Sequence, residues 1–410
     1  MSHTVIQEEA APRNKTWLES PVLTYYLILG SALALLTIGL VMVLSSTYVT
    51  NLEAKNLMYK DAQSQGIFAG IGLLLMIVAL NLKPKHFQAM APFALVLAVV
   101  LQVLVFSPLG KSVSGNRSWI VVAGQSLQPS ELGKIALCVI LGTVLARKMH
   151  KTAQFKDILV PVLGIWCAPL LLLVMLGKDL GTTLVLMLIT FMCLVFSGIQ
   201  KKYLVGLTVI GLLILIPLTL FNENRLGRIM ATYGECSVAD DCYQVQRSLE
   251  GLGTGGLTGA GLGAGKEKWS YLPEAHNDFI FSVIGEELGF LGALCVLVLF
   301  LILGYGILRL IRRSNDPMVK ITSAGIGAWL VGQAFLNIGM AVKLFPVIGI
   351  PLPFISAGGS ALVAVLIAVG VLLSFARQED EAAKYIPVVS RKNKILARTG
   401  AVISKRKTIK

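Results

Sequence analysis

Ten long apolar runs follow one another along the chain, and polar loops separate them. The runs cover residues 23–46, 66–82, 89–107, 131–146, 158–176, 180–198, 203–221, 278–308, 321–345 and 356–375. A helix needs about 20 apolar residues to cross a hydrocarbon core about 30 Å thick, and most of the runs approach or exceed that length. They are continuously apolar, whereas a transmembrane β-barrel would alternate with a period of two residues. The pattern therefore predicts an all-α, polytopic integral membrane protein with about ten transmembrane helices.

Basic residues in the short loops predict how the helices are oriented. They cluster after the even-numbered runs, at Lys83, Lys85, Arg147, Lys148, Lys151, Lys156, Lys201, Lys202, Arg309, Arg312, Arg313 and Lys320. The basic side of a membrane protein faces the cytoplasm. Both termini are then cytoplasmic, as tails of residues 1–22 and 377–410 that flank a membrane domain of residues 23–376. The longest loop, residues 222–277, is expected to be extracytoplasmic.

Composition strengthens the membrane assignment and argues against nucleic acid as a partner. Hydrophobic residues make up 55% of the 410 positions and charged residues only 14%, whereas soluble domains have roughly a quarter charged. The 36 basic and 22 acidic residues leave a net charge of +14. Half of this excess lies between Arg377 and Lys410, where ten residues are basic and three are acidic. A basic tail in this position favours anionic lipid or a protein partner.

Cysteines and glycines in the long loop raise two questions of chemistry. Cys236 and Cys242 share a polar loop, where a disulfide requires an oxidising exterior, and the sequence leaves this pairing open. The other cysteines lie in apolar runs and are expected to pack there: Cys138, Cys167, Cys193 and Cys295. The glycine-rich stretch 251–265 lacks the preceding strand of a dinucleotide-binding motif. Its glycines are expected to allow a tight, partly re-entrant path near the membrane surface.

Two polar clusters lie where apolar runs begin, and ionisable side chains in such places are costly and usually functional. Glu131 and Lys134 are three residues apart and share one helix face. They form either a neutralised pair packed against another helix or part of a site. Asp179 follows Lys178 at the junction of the fifth and sixth runs. It either caps the sixth helix or belongs to a site.

A third cluster, formed by Glu274, His276 and Asp278, leads into the eighth run. Asp278 lies where a loop becomes a helix, so a helix cap is the simple interpretation. Three polar residues in one turn are more than a cap requires, which favours a functional site. The spacing of His276 and Asp278 does not indicate a metal site. We identify no cofactor, and a divalent cation would have no sequence motif here.

Three segments resemble the signatures of one known family. They are Gln-Pro-Ser-Glu-Leu-Gly-Lys at residues 128–134, Pro-Glu-Ala-His-Asn-Asp-Phe-Ile-Phe at 273–281 and Gly-Ile-Pro-Leu-Pro-Phe-Ile-Ser-Ala-Gly-Gly-Ser at 349–360. In this order, with about ten spans and a large loop before the eighth, they are similar to the SEDS family (shape, elongation, division and sporulation). Within that family, residues 274–276 and 284–289 look more like the cell-division member than the elongation member.

The resemblance implies a peptidoglycan glycosyltransferase that polymerises lipid II during septal cell-wall synthesis in bacterial cell division. It implies an active site on the outer face of the bacterial plasma membrane, at the division septum, and a class B penicillin-binding transpeptidase and other division proteins as partners. The family's catalytic aspartate falls on Asp278. Substrate contacts are implied at Arg117, Gln128, Ser130, Glu131, Lys134, Asp179, Gln246, Ser248, Glu274, His276, Ser356, Gly358 and Gly359.

The chemistry of glycan polymerisation is consistent with a single carboxylate. A sugar hydroxyl attacks an anomeric carbon while a diphosphate leaves, so one base must accept the hydroxyl proton, and Asp278 is the best-placed candidate. The diphosphate needs cations. The candidate cations are Arg117, Lys134, Lys178, Arg228 and Lys343. Prolines and glycines at residues 346–360 predict either a broken, re-entrant approach to the last span, which could line a groove for the lipid, or a tight hairpin.

The sequence leaves three alternative functions. An elongation-type polymerase would use the same motifs. A lipid II flippase would need a charge path through the bundle, for which Glu286, Glu287 and Arg309 are the best support. A scaffold of the division machinery would need only the helices and the tails, and it would tolerate the loss of Asp278.

Overall fold

The computed structural model describes most of the membrane domain and little of the tails. It describes residues 20, 22–53, 59–113, 115–122, 124–148, 160–220, 223–234, 239–269 and 272–378. The two predicted tails fall almost wholly outside the described residues. Cys236 and the side chain of Cys242 also lie outside them. The tails and the disulfide therefore stay predictions.

Helices account for each of the ten predicted apolar runs. They are α1 (Leu23–Glu53), α2 (Lys60–Asn81), α3 (Pro84–Leu104), α4 (Pro129–Lys148), α5 (Ala168–Leu176), α6 (Leu180–Phe196), α7 (Lys201–Leu220), α8 (Glu223–Tyr233), α9 (Ala239–Thr254), α10 (Ile280–Arg313), α11 (Pro317–Gly327), α12 (Gln333–Ala341) and α13 (Gly359–Arg377). A π-helical segment, Val160–Cys167, leads into α5, and another, Ala328–Gly332, joins α11 to α12. The predicted all-α membrane fold is confirmed.

Length and composition identify fewer spans than the sequence pattern predicts. Among the described residues, seven helices are long and apolar enough to cross a membrane. Two shorter apolar helices, Pro161–Leu176 and Leu180–Phe196, accompany them. The count of ten spans and the cytoplasmic position of both termini stay predictions.

A small antiparallel sheet lies between α3 and α4, where the sequence pattern predicts none. Its strands are β1 (Gly110–Val113), β2 (Asn116–Val122) and β3 (Gln125–Leu127), in the order β1-β2-β3. Ile120 of β2 pairs with Gly110 on one side and with Leu127 on the other. The main-chain N–H of Arg117 donates to the carbonyl of Gly177 at 2.8 Å, which attaches the sheet to the end of α5. The sequence of β2, Asn-Arg-Ser-Trp-Ile-Val-Val, does not alternate strictly between apolar and polar residues, and β1 and β3 have only four and three residues, so none carries a clear strand pattern.

Residues 342–358 cross one end of the bundle in turns and irregular backbone, and we call this segment the strap. Its buried apolar side chains are Val347, Ile350, Leu352, Phe354 and Ile355. Irregular backbone in a membrane protein is tolerated where protein covers it. A Cβ atom at Gly39 of α1 would collide with the carbonyl oxygen of Phe354, so α1 packs directly on the strap. The broken approach to the last span is confirmed, and α13 begins at Gly359 rather than at residue 356.

The long loop contains helices α8 and α9, followed by a glycine-rich stretch that packs into a break in α10. Gly289, with φ 70° and ψ −170°, interrupts α10. The N–H groups of Phe290 and Leu291 then donate to the carbonyls of Gly256 at 2.9 Å and Leu257 at 3.2 Å. The glycine-rich stretch thus accepts hydrogen bonds that the break would otherwise leave unmade. The tight path predicted for these glycines is confirmed.

Two carboxylates of α10 hold the segment that directly follows the glycine-rich stretch. Glu286 accepts the main-chain N–H of Lys266 at 2.6 Å. Glu287 accepts from the Nζ of Lys268 at 2.8 Å and from the hydroxyl of Ser45 at 2.6 Å. Glu287 and Lys268 are both buried, so this ion pair is part of the packed interior.

Candidate functional site

Asp278 lies in the turn that leads into α10, and it does not cap that helix. The N-cap residue is Phe279, and no side-chain hydrogen bond caps it. Asp278 is partly buried. Its hydrogen bonding within the described residues is through its main-chain carbonyl, which accepts from Asn337 Nδ2 at 2.8 Å. The structure does not support the cap interpretation, and the carboxylate is left available for chemistry.

The surroundings raise the pKa of Asp278 to about 7. Burial is the main cause, because it penalises the charged form, and the charges of Glu274 and Asp179 add to the effect. Arg228 lowers the pKa. A carboxylate of this kind is a stronger base than a solvated aspartate, which suits it to accept a proton. No group of three or more His, Cys, Asp or Glu side chains in the described part of the chain is placed to bind a metal ion.

The strap is hydrogen-bonded to the turn that carries Asp278. The hydroxyl of Ser356 donates to the carbonyl of Asn277 at 2.6 Å. The N–H of Ala357 donates to the carbonyl of His276 at 3.0 Å. Two predicted site residues, Ser356 and His276, are therefore brought beside Asp278 through main-chain contacts.

Helix α2 holds the other side of the strap. Gln65 donates from Nε2 to the carbonyl of Ser356 at 3.3 Å and accepts from the N–H of Gly358 at 3.2 Å. Gly359, the first residue of α13, packs against the ring of Phe68, which a Cβ atom would strike. Gly359 thus allows a close helix contact, and Gly358 joins the site through its main-chain N–H.

Asp179 caps α6 and also lies within electrostatic range of Asp278. Its carboxylate accepts the N–H of Thr182 at 3.0 Å, which confirms the predicted cap. The side chain of Gln128 donates to the same carboxylate at 3.1 Å. The N–H of Gln128 donates to the hydroxyl of Ser360 at 3.2 Å. The first motif is therefore linked to the starts of both α6 and α13.

Glu131 and Lys134 form a buried ion pair with an N–O distance of 2.7 Å. Lys134 also donates to Gln333 Oε1 at 3.0 Å and lies 5.3 Å from the centroid of the Trp329 ring. Gln333 in turn donates to the carbonyl of Pro351 in the strap at 2.7 Å. The neutralised, helix-packed pair is confirmed. At 1% exposure each, these side chains support the strap and are too buried to contact a lipid-linked sugar.

Four other predicted substrate contacts remain, namely Arg117, Ser130, Gln246 and Ser248. Three of them have hydrogen-bond partners among the described residues. Arg117 donates to the carbonyl of Ser107 at 3.0 Å, and Gln246 donates to Glu250 at 2.9 Å. Ser248 is buried against the hydroxyl of Ser282 at 2.6 Å. The hydroxyl of Ser130 is buried and has no hydrogen-bond partner among the described residues.

Three of the candidate cations lie at the Asp278 end of the bundle. Lys178 and Lys343 are exposed, and each lies two residues beyond a helix end in the left-handed conformation, with φ of 63° and 64°. Arg228 of α8 donates to the carbonyl of Val347 in the strap at 3.4 Å. Its charge acts on Asp278, so it is placed to meet an anion near that carboxylate.

Sequence reasoning missed the residues that build the wall beside Asp278. Gly349 has φ 74°, and a Cβ atom there would lie 3.4 Å from Asp278 Oδ2. Asn337 and Gln333 of α12 hold the strap, and Gln65 holds it from α2. Amide side chains inside or bordering apolar runs were the available signal, because buried amides need hydrogen-bond partners.

An apolar cavity of about 610 Å³ lies between α5, α6 and α7. Its lining residues are Leu163, Cys167, Ala168, Leu171, Leu184, Met187, Leu188, Thr190, Phe191, Leu194, Leu207, Thr208, Ile210 and Gly211. Helix α6 begins beside Asp179, and Leu184 lies about 8 Å further along its axis. The cavity is therefore separated from the polar site by little more than one turn of α6.

Comparison with known proteins decides the family. The FtsW/RodA/SpoVE family of cell cycle proteins matches residues 25–381. The chain belongs to this family. It is 36% identical over 377 residues to the probable peptidoglycan glycosyltransferase FtsW of Mycobacterium tuberculosis, covering 91% of this chain and 72% of that protein. It is 36% identical over 347 residues to stage V sporulation protein E of Bacillus subtilis, covering 84% of this chain and 94% of that protein.

Solved structures share the fold. A chain described under "Structural coordination of polymerization and crosslinking by a peptidoglycan synthase complex" aligns with a TM-score of 0.68 and 25% identity, covering 86% of this chain and 97% of that one. The rod shape determining protein RodA of Thermus thermophilus aligns with a TM-score of 0.65 at 24% identity, which shows the fold alone. The family resemblance is confirmed, and this FtsW/RodA/SpoVE protein is a multi-pass membrane glycosyltransferase of peptidoglycan synthesis.

Proposed function

We propose that this peptidoglycan glycosyltransferase polymerises lipid II with Asp278 as its general base. The observation that carries the proposal is the partly buried Asp278 carboxylate, whose pKa is raised to about 7. It lies where the strap, the start of α6 and the turn before α10 meet. Lipid II is a disaccharide-pentapeptide on undecaprenyl diphosphate, so its reacting sugar remains close to a membrane surface.

Besides this base, the reaction needs only cationic groups that stabilise the leaving diphosphate. The acceptor hydroxyl bonds to the anomeric carbon of the donor, its proton passes to Asp278, and the bond from that carbon to the diphosphate breaks. A positioned base contributes about 10²–10⁴ in rate. Diphosphate leaves without a paired general acid, unlike the leaving group of a glycosidase. Arg228, Lys178 and Lys343 would stabilise its charge at this end of the bundle.

The apolar cavity beside α6 supports a substrate with a long lipid chain. Its lining is almost entirely aliphatic and aromatic, and it begins near Leu184, close to the polar site. A prenyl chain lying there would stay in hydrocarbon while its diphosphate reached Asp278. This differs from the groove lined by residues 346–360 that the sequence suggested, because the strap is hydrogen-bonded to α2, α12 and the turn before α10, and most of its apolar side chains are buried.

The proposed place of the reaction is the outer face of the bacterial plasma membrane, at the division septum. The basic loops support this sidedness. The similarity to a chain of a peptidoglycan synthase complex supports a class B penicillin-binding transpeptidase as partner. A cysteine introduced at Lys178 should label from outside the cell, and one introduced at residue 400 only from inside. The opposite labelling would separate Asp278 from the lipid II sugar and refute the orientation.

The contacts of Glu286, Glu287 and Arg309 give the flippase alternative less support than the polymerase has. Glu286 accepts from the main-chain N–H of Lys266, and Glu287 is paired with Lys268. Arg309 lies 22 residues beyond Glu287, about 33 Å along the helix. It donates instead to the hydroxyl of Thr24 at 3.0 Å. These charges are engaged separately and form no chain across the bundle in the described residues.

The test is a polymerisation assay with purified full-length protein and lipid II, with and without the partner transpeptidase. Asp278→Asn keeps the size of the side chain but cannot accept a proton, so glycan synthesis should fall by about 10²–10⁴. The matched control is Asp316→Asn at the far end of α10, where Asp316 caps α11 by accepting the N–H of Met318 at 2.8 Å. A folded Asp278→Asn protein that makes glycan strands at the rate of the control would end the assignment.

A further inference from the structure

Asn337 forms hydrogen bonds to the main chain of Asp278 and to the part of the strap that lies beside the Asp278 carboxylate. It is fully buried in α12, and its Nδ2 donates to the carbonyl of Asp278 at 2.8 Å and to the carbonyl of Ile350 at 2.7 Å. The residue before Ile350 is Gly349, whose Cα faces Asp278 Oδ2 closely enough that an added Cβ would touch it. One amide therefore joins the main chain of Asp278 to the wall against which its carboxylate lies.

The helix that carries Asn337 is itself held in place. Trp329, Gln333 and Asn337 follow at intervals of four residues and share one face. Gln333 accepts from Trp329 Nε1 at 3.0 Å and from Lys134 at 3.0 Å, and it donates to the carbonyl of Pro351 at 2.7 Å. Two consecutive carbonyls of the strap are thus bound by one helix face. A site supported from a rigid helix keeps its geometry better than one supported by a loop.

We infer that Asn337 is a positioning residue, which sets the orientation and the hydration of Asp278 by clamping its main chain to the Gly349–Ile350 wall. The inference rests on the proposed role of Asp278 as the base. Without the clamp, the strap and the turn before α10 lose the hydrogen-bond donor that they share. Water would then reach the carboxylate, and its distance from the acceptor hydroxyl would no longer be fixed.

The ionisable groups around Asp278 are not part of the clamp. They are Glu274 and His276 in its own turn, Asp179 at the start of α6, Arg228 of α8 and Lys343 beyond the end of α12. A substitution at Asn337 leaves all of them in place. A change in the pH profile of such a variant therefore reports the hydration of Asp278, because burial is the main cause that raises its pKa.

The experiment compares Asn337→Ala and Asn337→Ser with a matched control, Ser374→Ala, in the full-length protein with lipid II and the partner transpeptidase. Ser374 is also fully buried and donates to a carbonyl, that of Leu82 at 2.6 Å, at the opposite end of the bundle. Asn337→Ala should lower kcat by about 10²-fold, the cost of a misplaced base, with little change in KM. Asn337→Ser, which keeps one donor, should lose less. The acidic limb of the pH profile should move to lower pH in both Asn337 variants and stay unmoved in Ser374→Ala.

Three results would overturn the inference. The first is a kcat within about threefold of the wild type for Asn337→Ala. The second is a lowered kcat with an unmoved acidic limb. The third is the loss of folded protein in both Asn337 variants while Ser374→Ala stays folded. Asp278→Asn in the same assay distinguishes failure of the proposed function from failure of this inference. If Asp278→Asn is fully active, the proposed function fails. If Asp278→Asn is inactive and Asn337→Ala has normal activity, only this inference fails.

Discussion

Asp278 in the turn before α10 and Glu287 within α10 lie nine residues apart, and their carboxylates have opposite surroundings. Glu287 is buried, paired with Lys268 at 2.8 Å and hydrogen-bonded to Ser45. Asp278 is partly buried beside Glu274 and Asp179, with Arg228 as the opposing charge. The first carboxylate has its acceptor sites occupied by the protein, whereas the second receives no hydrogen bond from the described residues.

This difference in surroundings suits Glu287 to a structural role and Asp278 to a role as a base. A buried charge that is fully paired stabilises one arrangement of the chain and has no capacity left for a substrate. A carboxylate that is desolvated but unpaired binds its proton more tightly, which suits it to take a proton from a sugar hydroxyl. Position in an apolar run does not distinguish the two, because both lie near its beginning.

Breaking the Glu287 pair should have the largest effect, and the effect should be on stability. Lys268→Met leaves Glu287 buried without its cation and should lower the free energy of unfolding by about 3–5 kcal/mol. The double variant Lys268→Met with Glu287→Gln should recover much of that loss. Chemical unfolding in detergent measures both, and a single variant as stable as the wild type would contradict the structural role.

Lengthening the Asp278 side chain should have the next largest effect, and the effect should be on rate. Asp278→Glu moves the carboxylate by about 1 Å, enough to cost about 10²-fold in glycan synthesis. Its free energy of unfolding should change little, because the carboxylate has no partner in the described chain to lose. A variant with normal rate would mean that the carboxylate does not act at a fixed distance from substrate.

The pH dependence should sharpen the comparison further. Below pH 7 the base is increasingly protonated, so the rate should fall by about tenfold per pH unit. The folded pKa of about 7 lies above an unfolded value of about 3.9, so the folded state holds a proton that the unfolded state has released. The contribution of Asp278 to stability therefore falls as pH rises from about 4 to about 7. Asp278→Asn should lack this fall, and unfolding curves at the two ends of that window would show it.

The smallest effect is expected at Asp179, which combines both roles. Asp179→Ala removes the cap of α6 and should cost about 1 kcal/mol of stability. It also removes a negative charge near Asp278, so the acidic limb of the rate profile should move to lower pH. A fall of several kcal/mol in the free energy of unfolding would show that the hydrogen bond between Asp179 and Gln128 contributes more to stability than the helix cap does.

Much of the fold could be predicted because hydrophobic runs long enough to span a membrane allow few structures. For two local clusters the structure shows one of the interpretations that the sequence left open, the cap at Asp179 and the pair of Glu131 with Lys134. Both depend on residues three apart, whose relative position a helix dictates. The short sheet and the break at Gly289 were missed, since neither has a periodic signal of its own.

The sequence by itself determined the membrane class, the helical segments and the family, because hydropathy and motif order are properties of the chain read in one dimension. Only the tertiary structure decided which carboxylate is unpaired. Glu287 is satisfied by Lys268 from the segment after the glycine-rich stretch and by Ser45 from α1, and Asp278 is desolvated beside a strap about 70 residues further along. Burial and pairing are sums over neighbours from distant parts of the chain, and those neighbours meet only when the helices pack.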